Sequence, residues 1–131
     1  MDELPIRSGD DVVRVRQQVR TAAAETGLSL VDQTKLVTAA SELARNTLVH
    51  GGGGAARIEV VKSPSGRTGV KLHFTDEGPG IPDIELALTD GWTTGTGLGL
   101  GLSGTRRLVD EFELTSEPGA GTSVVVVKWS R

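Results

Sequence analysis

Glu42 and Asn46 stand four residues apart in an otherwise apolar run, with Leu43 and Ala44 between them, Ala39 and Ala40 before, and Leu48 and Val49 after. On a helix this spacing puts them one turn apart on the same side. Such a pair is either an ordinary polar pair on a solvated helix face or part of a metal–phosphate site. The amide oxygen is a hard ligand suited to Mg²⁺, and the carboxylate can accept a proton or orient a nucleophile. His50, one further turn on, extends the same edge, either as a polar helix end or as a third functional group.

Two glycine clusters add to this set. Asp76-Glu77-Gly78-Pro79-Gly80 directly follows an apolar stretch. Its glycines permit positive φ or close approach to a flat ligand, and an Asp at a strand end can accept a hydrogen bond from an exocyclic amine. A plain turn would use the same residues. The densest cluster runs from Gly95 to Gly104 and contains Gly99-x-Gly101-x-x-Gly104, formally a dinucleotide fingerprint. No apolar strand precedes it and no βαβ unit surrounds it, so a Rossmann reading fails. The Walker pattern fails as well, because no Gly-Lys-Ser/Thr follows. What survives is a loop of exposed backbone N–H groups entering a helix, which is a good cradle for phosphate.

The elements that must position these groups can be read from periodicity and breakers. Leu4 to Arg7 reads as an edge strand. Ser8 with Asp11 forms a capping-box variant before a helix carrying Val12, Val15, Val19, Ala22 and Ala23, which Gly27 stops. Ser29 with Asp32 repeats the pattern before a second helix bearing Leu36, Val37, Ala40, Leu43, Ala44 and Thr47, ended by Gly51 to Gly54. Residues 56–62 and 69–75 read as strands around a Ser-Pro-Ser-Gly turn. A short helical stretch is expected near residues 83–88, and helical spacing returns from Leu98 to Phe112. Residues 113–116 and 122–129 close the chain as a hairpin. The order lacks βαβα alternation, which predicts a two-layer α/β (α+β) sandwich, a mixed sheet covered on one face by helices.

Composition sets the outer limits. The 131 residues suit one domain, residues 1–131. Zero Cys excludes disulfide scaffolds, thiolate zinc sites and cysteine nucleophiles. A net charge of −3, from 14 basic and 17 acidic residues, argues against nucleic acid as a main partner. No apolar run approaches the roughly 20 residues a membrane helix needs, and the first residues do not read as a signal peptide, so a cytoplasmic location is expected.

Taken in order, these motifs resemble the GHKL ATPases, the superfamily of gyrase, Hsp90, histidine kinases and MutL. Glu42-x-x-x-Asn46 resembles the N-box, Asp76-x-Gly78-x-Gly80 the G1 box, Gly97-Leu98-Gly99-Leu100-Gly101 the G2 box, and Gly119-x-Gly121-Thr122 the closing glycine–threonine motif. Within that superfamily the stretches SELARNTLVHGGGG, FTDEGPGIPD, DGWTTGTGLGLGL, RRLVDEFEL and VVKW are similar to the small serine/threonine kinases of bacterial partner-switching systems, the stressosome (RsbT) type in particular.

The resemblance implies a Bergerat-type fold that binds ATP and Mg²⁺ between helices and sheet. It makes Asn46 the Mg²⁺ ligand, Glu42 the general base and Asp76 the partner of the adenine amino group. Gly78, Gly80, Ile81 and Thr122 belong to the same end of the nucleotide, and Gly97, Leu98, Gly99, Leu100 and Gly101 to the phosphate-binding segment. The expected acceptor is a Ser or Thr of a STAS-domain antagonist protein. The alternative is a nucleotide-gated binding module or anti-sigma factor that sequesters a sigma factor or a PP2C-type phosphatase regulator. No Lys or Arg lies between Thr89 and Gly104, so that stretch offers no cation for the γ-phosphate.

Overall fold

The computed structural model describes residues 3–78, 102–117 and 119–130. Its elements, in chain order, are β1 (Glu3–Ile6), α1 (Gly9–Glu25), α2 (Leu30–Val49), β2 (Gly54–Lys62), β3 (Thr68–Asp76), α3 (Leu102–Leu108), β4 (Glu111–Glu117) and β5 (Gly121–Trp129). The strands form one sheet in the order β1-β2-β3-β5-β4. All four pairings are antiparallel. The two layers are as expected, but the sheet is not mixed. The tight turns at Ser63–Arg67 and before Gly121 join neighbouring strands as hairpins, and a hairpin forces antiparallel pairing.

Both long helices start and stop on local signals. The Ser8 hydroxyl accepts from Asp11 N–H at 3.4 Å, while Asp11 reaches back to Arg7 N–H at 2.9 Å and to Arg14 at 2.8 Å. These donors, the Arg7 N–H first, hold the Asp11 carboxyl below its ordinary range. At the other end Gly27 takes φ +84°, with Leu28 N–H on Ala23 O and Gly27 N–H on Ala24 O, a complete Schellman motif. Ser29 caps α2 through Asp32 N–H at 3.1 Å. The helix expected to run to Phe112 stops at Leu108. Asp110 N–H bonds Val127 O and its carboxylate takes Trp129 N–H at 2.7 Å, which brings the chain alongside β5 before Phe112 is reached. The stretch expected as a helix near residues 83–88 lies outside the described residues.

Side-chain alternation sorts the sheet into two faces. Register aligns Ile58, Leu72, Val126 and Phe112 in one row, and Ala56, Phe74, Val124 and Leu114 in the next. These two rows lie under the helices in the core. Helix α2 packs on both α1 and α3. Its small residues Ala39, Ala40 and Ala44, all fully buried, let its neighbours come close.

A Cβ at Gly27 would meet nothing within 4 Å. Gly27→Ala therefore costs only the left-handed backbone strain, about 1 kcal/mol. Denaturant unfolding should show that loss with an unchanged m-value. A loss several times larger would mean that Gly27 is held by more than its φ.

Candidate functional site

The next row along the inward face, past Phe74 and Val124, is polar. It aligns Gly54, Asp76, Thr122 and Ser116. Apolar pleat positions thus give way, two residues further on, to a carboxylate and two hydroxyls on the same face. Thr122 and Ser116 hydroxyls lie 3.0 Å apart, and Ser116 also reaches Gly121 O at 3.2 Å. Above this row the C-terminal end of α2 descends onto the sheet and leaves a cleft between helix and sheet. Asn46, Thr47, His50 and Gly51 line it from the helix side, Phe74, Asp76, Thr122 and Val124 from the sheet, and Leu102 and Leu114 close it.

Glycine makes the descent possible. A Cβ on Gly51 would lie 2.6 Å from Asp76 Oδ2, and one on Gly78 would lie 2.6 Å from Gly51 Cα. Gly121, at φ +91°, leaves no room for a Cβ beside Asp76 O. Two segments remote in sequence, at Gly51 and Gly121, therefore converge on residues 76–78 with backbone alone. The Asp76 carboxylate keeps one oxygen on Gly78 N–H, at 2.9 Å.

Asn46, Asp76, Thr122 and Gly78 are thus brought together, the first three on the cleft wall. Glu42 is not on that wall. It lies one turn back on α2, part-exposed, and lines a separate groove between α1 and α2 with Arg16, Arg20, Thr38 and Ser41. Arg45 Nη1 is 3.8 Å from its carboxylate. Gly80, Ile81, Gly97, Leu98, Gly99, Leu100 and Gly101 lie outside the described residues. The sequence reading missed the apolar wall of Leu43, Phe74, Leu102, Leu114 and Val124, because those residues are equally good core residues; strand register sets Phe74, Val124 and Leu114 beside the polar row, and helix packing brings Leu43 and Leu102 over it.

The residues fit a flat, amine-bearing group and a polyphosphate. The cleft offers apolar walls and a carboxylate at its floor, and Asn46 offers a hard oxygen. Among the described residues no cluster of three His, Cys, Asp or Glu could hold a metal. A Mg²⁺ bound here would draw most of its ligands from phosphates and water, as that ion commonly does.

His50, the C-cap of α2, has its N–H on Asn46 O at 2.9 Å. Burial lowers its pKa below the ordinary 6.5, and the nearby Asp76 carboxylate partly opposes the shift. The folded value lies below the unfolded one, so the contribution is complete above about pH 6.5 and is lost as pH falls. Thermal unfolding between about pH 7.5 and about pH 5.5 should show this loss in the wild type and a flatter profile in His50→Gln. Superimposable profiles would assign the slope to other groups.

Comparison with known proteins agrees with this geometry. Residues 31–130 match the family described as "Histidine kinase-, DNA gyrase B-, and HSP90-like ATPase". The chain is 47% identical to the serine/threonine-protein kinase RsbT of Bacillus subtilis (strain 168), covering 92% of this chain and 90% of that protein. It is 31% identical to an anti-sigma F factor of Thermoanaerobacter sp. (strain X514), over 87% of this chain and 82% of the relative. Its fold matches the RsbU and RsbW domains of Rv1364c from Mycobacterium tuberculosis with a TM-score of 0.64 at 23% identity; the match covers 100% of this chain and 33% of that one. It also matches the SiaB–SiaC complex from Pseudomonas aeruginosa with a TM-score of 0.55 at 13% identity, over 98% and 89% of the two chains. With polar row, cleft and family match in agreement, the chain belongs to the histidine kinase-, DNA gyrase B- and HSP90-like (GHKL) ATPases, on the branch of the RsbT serine/threonine kinases and anti-sigma F factors.

Proposed function

We infer that the protein is a serine/threonine protein kinase of a bacterial partner-switching system, that residues 1–131 form one catalytic unit, and that it transfers the γ-phosphoryl group of Mg·ATP to a Ser or Thr of a STAS-domain antagonist protein. One observation carries the reading. Asn46, Asp76 and Thr122 share a cleft while Glu42, on the same helix, faces a second groove open to solvent. Donor and acceptor thus have separate approaches that meet along one turn of α2. The similarity to RsbT supports the acceptor class.

In this reading Asp76 accepts from the adenine amino group, Gly51, Gly78 and Gly121 let the segments around it pack closely enough to keep it on the cleft wall, and Thr122 supports the same end. Asn46 holds the Mg²⁺, which supplies charge neutralisation at the phosphates. Gly80, Ile81, Gly97, Leu98, Gly99, Leu100 and Gly101 are assigned to the nucleotide on their sequence motifs. Glu42 takes the proton of the acceptor hydroxyl as its oxygen bonds to the γ-phosphorus. The bond from that phosphorus to the β–γ bridging oxygen breaks, and ADP leaves with the electron pair. Phosphoryl transfer needs little beyond such positioning and charge stabilisation. In this reading the reaction is cytoplasmic, as the sequence leads one to expect. Separately, among the described residues no helix is long and apolar enough to cross a membrane.

The similarity to anti-sigma F factors supports a second, compatible reading. The nucleotide-bound protein then also sequesters a partner, either a sigma factor or a PP2C-type phosphatase regulator.

Intact-mass analysis after incubation with Mg·ATP and the STAS-domain proteins of the same organism tests the kinase. We expect one added phosphate on one STAS protein. Glu42→Ala should slow transfer by about a hundredfold or more and leave ATP affinity within about threefold. Full transfer by Glu42→Ala would refute the general-base role, and tight STAS binding without transfer would favour the binding module. Asp76→Asn and Gly51→Ala should each weaken ATP binding about tenfold or more, with Asp76→Asn also narrowing the preference for ATP over GTP. Calorimetry showing an unchanged ATP/GTP ratio for Asp76→Asn would remove Asp76 from adenine recognition.

A further inference from the structure

The inward face of the sheet is polar at both ends. Opposite the Asp76 row, beyond Val126, the inward position of β5 is Lys128, paired with Val70. Lys128 is only 4% exposed. Its ammonium lies 3.6 Å from Asp32 Oδ1 and 3.6 Å from Asp110 Oδ1. A buried ammonium loses its hydration, and replacing Lys128, Asp32 and Asp110 together by uncharged groups of similar volume is often neutral or stabilising, whereas removing the lysine alone strands two carboxylates. Fold stability alone does not call for Lys128, whereas the two groups it joins suggest a geometric role.

Asp32 lies in the first turn of α2. Asp110 follows α3 and is itself fastened to β5, through Trp129 N–H and Val127 O. One ammonium therefore ties the start of α2 and the exit of α3 to a single strand. The far end of α2 has its own fixing, with Gly51 against Asp76 and Gly53 N–H on Thr47 O. Glu42 stands about midway between Asp32 and Gly51, and Asn46 nearer to Gly51.

We propose that Lys128 is a positioning residue for phosphoryl transfer: through Asp32 and Asp110 it fixes the N-terminal half of α2 against the sheet and so sets where Glu42 stands relative to a nucleotide held at Asp76. The proposal rests on the kinase reading above. Loss of this tie frees the part of α2 that leads to Glu42 and leaves the Asp76 end anchored by its glycine contacts. Rate and affinity must then separate.

The test compares wild type, Lys128→Arg, Lys128→Met and the triple variant Asp32→Asn/Asp110→Asn/Lys128→Met. The triple variant keeps the shapes and removes all three charges, so it folds even where Lys128→Met, with two unbalanced carboxylates, does not. Transfer to the STAS protein is measured at saturating Mg·ATP, ATP affinity by calorimetry, and amide exchange along α2 by mass spectrometry. We expect the triple variant to bind ATP within about twofold of wild type, to transfer phosphate about tenfold more slowly, and to exchange faster over residues 32–40 than over 46–51. Lys128→Arg should recover part of the rate. An undiminished rate in the triple variant overturns the proposal, and so does a parallel loss of rate and affinity, which marks general loosening. A wild type that binds ATP and transfers nothing overturns the kinase reading, and this one with it.

Discussion

The structure depends on a contact that only glycine permits. The end of α2 rests on Asp76 through Gly51, and Gly78 and Gly121 complete the enclosure with backbone. A methyl group at Gly51 would overlap the carboxylate, so the helix would have to lift or the aspartate turn away. Either change alters the distance between the sheet and the helix bearing Asn46 and Glu42. The glycines near residue 51 therefore do more than end a helix. They set the height of its last turn above the sheet, and with it the depth of the cleft.

The cleft is a continuation of the core. Phe74, Val124 and Leu114 belong to the last apolar row, and Asp76, Thr122 and Ser116 to the row after it. Leu43 and Leu102 reach the same space from the helices. A flat ligand with one hydrogen-bonding edge matches this arrangement because its faces meet core-like walls while its edge meets the first polar row. Hydrophobic packing and ligand recognition thus share residues, with the boundary between them drawn by strand register.

Much of this was legible from local chemistry. Ser8, Asp11 and Gly27 bounded α1, Ser29 bounded α2, and the Ser63–Gly66 turn placed the first hairpin, because caps and turns depend on a few adjacent residues. The pairing of Glu42 and Asn46 on one helix was equally local. The antiparallel order throughout was not, since pairing is a matter of which distant strands meet. Nor was the end of α3: the spacing from Leu98 to Phe112 reads as helical, and only the tertiary bonds of Asp110 to Val127 and Trp129 convert its last residues to strand. The close approach of Gly51 and Gly121 to Asp76 joins positions far apart in sequence, so periodicity carries no trace of it. Lys128 was likewise hidden, as a lysine near the end of a strand reads as solvated until Asp32 and Asp110 are seen around it.

The two depressions beside α2 account for why Asn46 lines the cleft and Glu42, one turn away, does not. Positions four apart on a helix differ by about 40° in direction, enough to place neighbouring side chains on either side of a ridge. Asn46 falls on the sheet side and Glu42 on the side of α1, with Arg16, Arg20, Thr38 and Ser41. A hydrolase gains by enclosing its base with the nucleotide, since its nucleophile is water drawn from within the site. A kinase acting on another protein has the opposite requirement, because its base must be reachable by a hydroxyl carried on a bulky surface. A part-exposed carboxylate on the outer side of the helix that also borders the nucleotide cleft satisfies that requirement. The same four-residue spacing that made the pair conspicuous in the sequence thus sets Asn46 on the cleft and Glu42 on the second groove, the division that the proposed kinase reading requires.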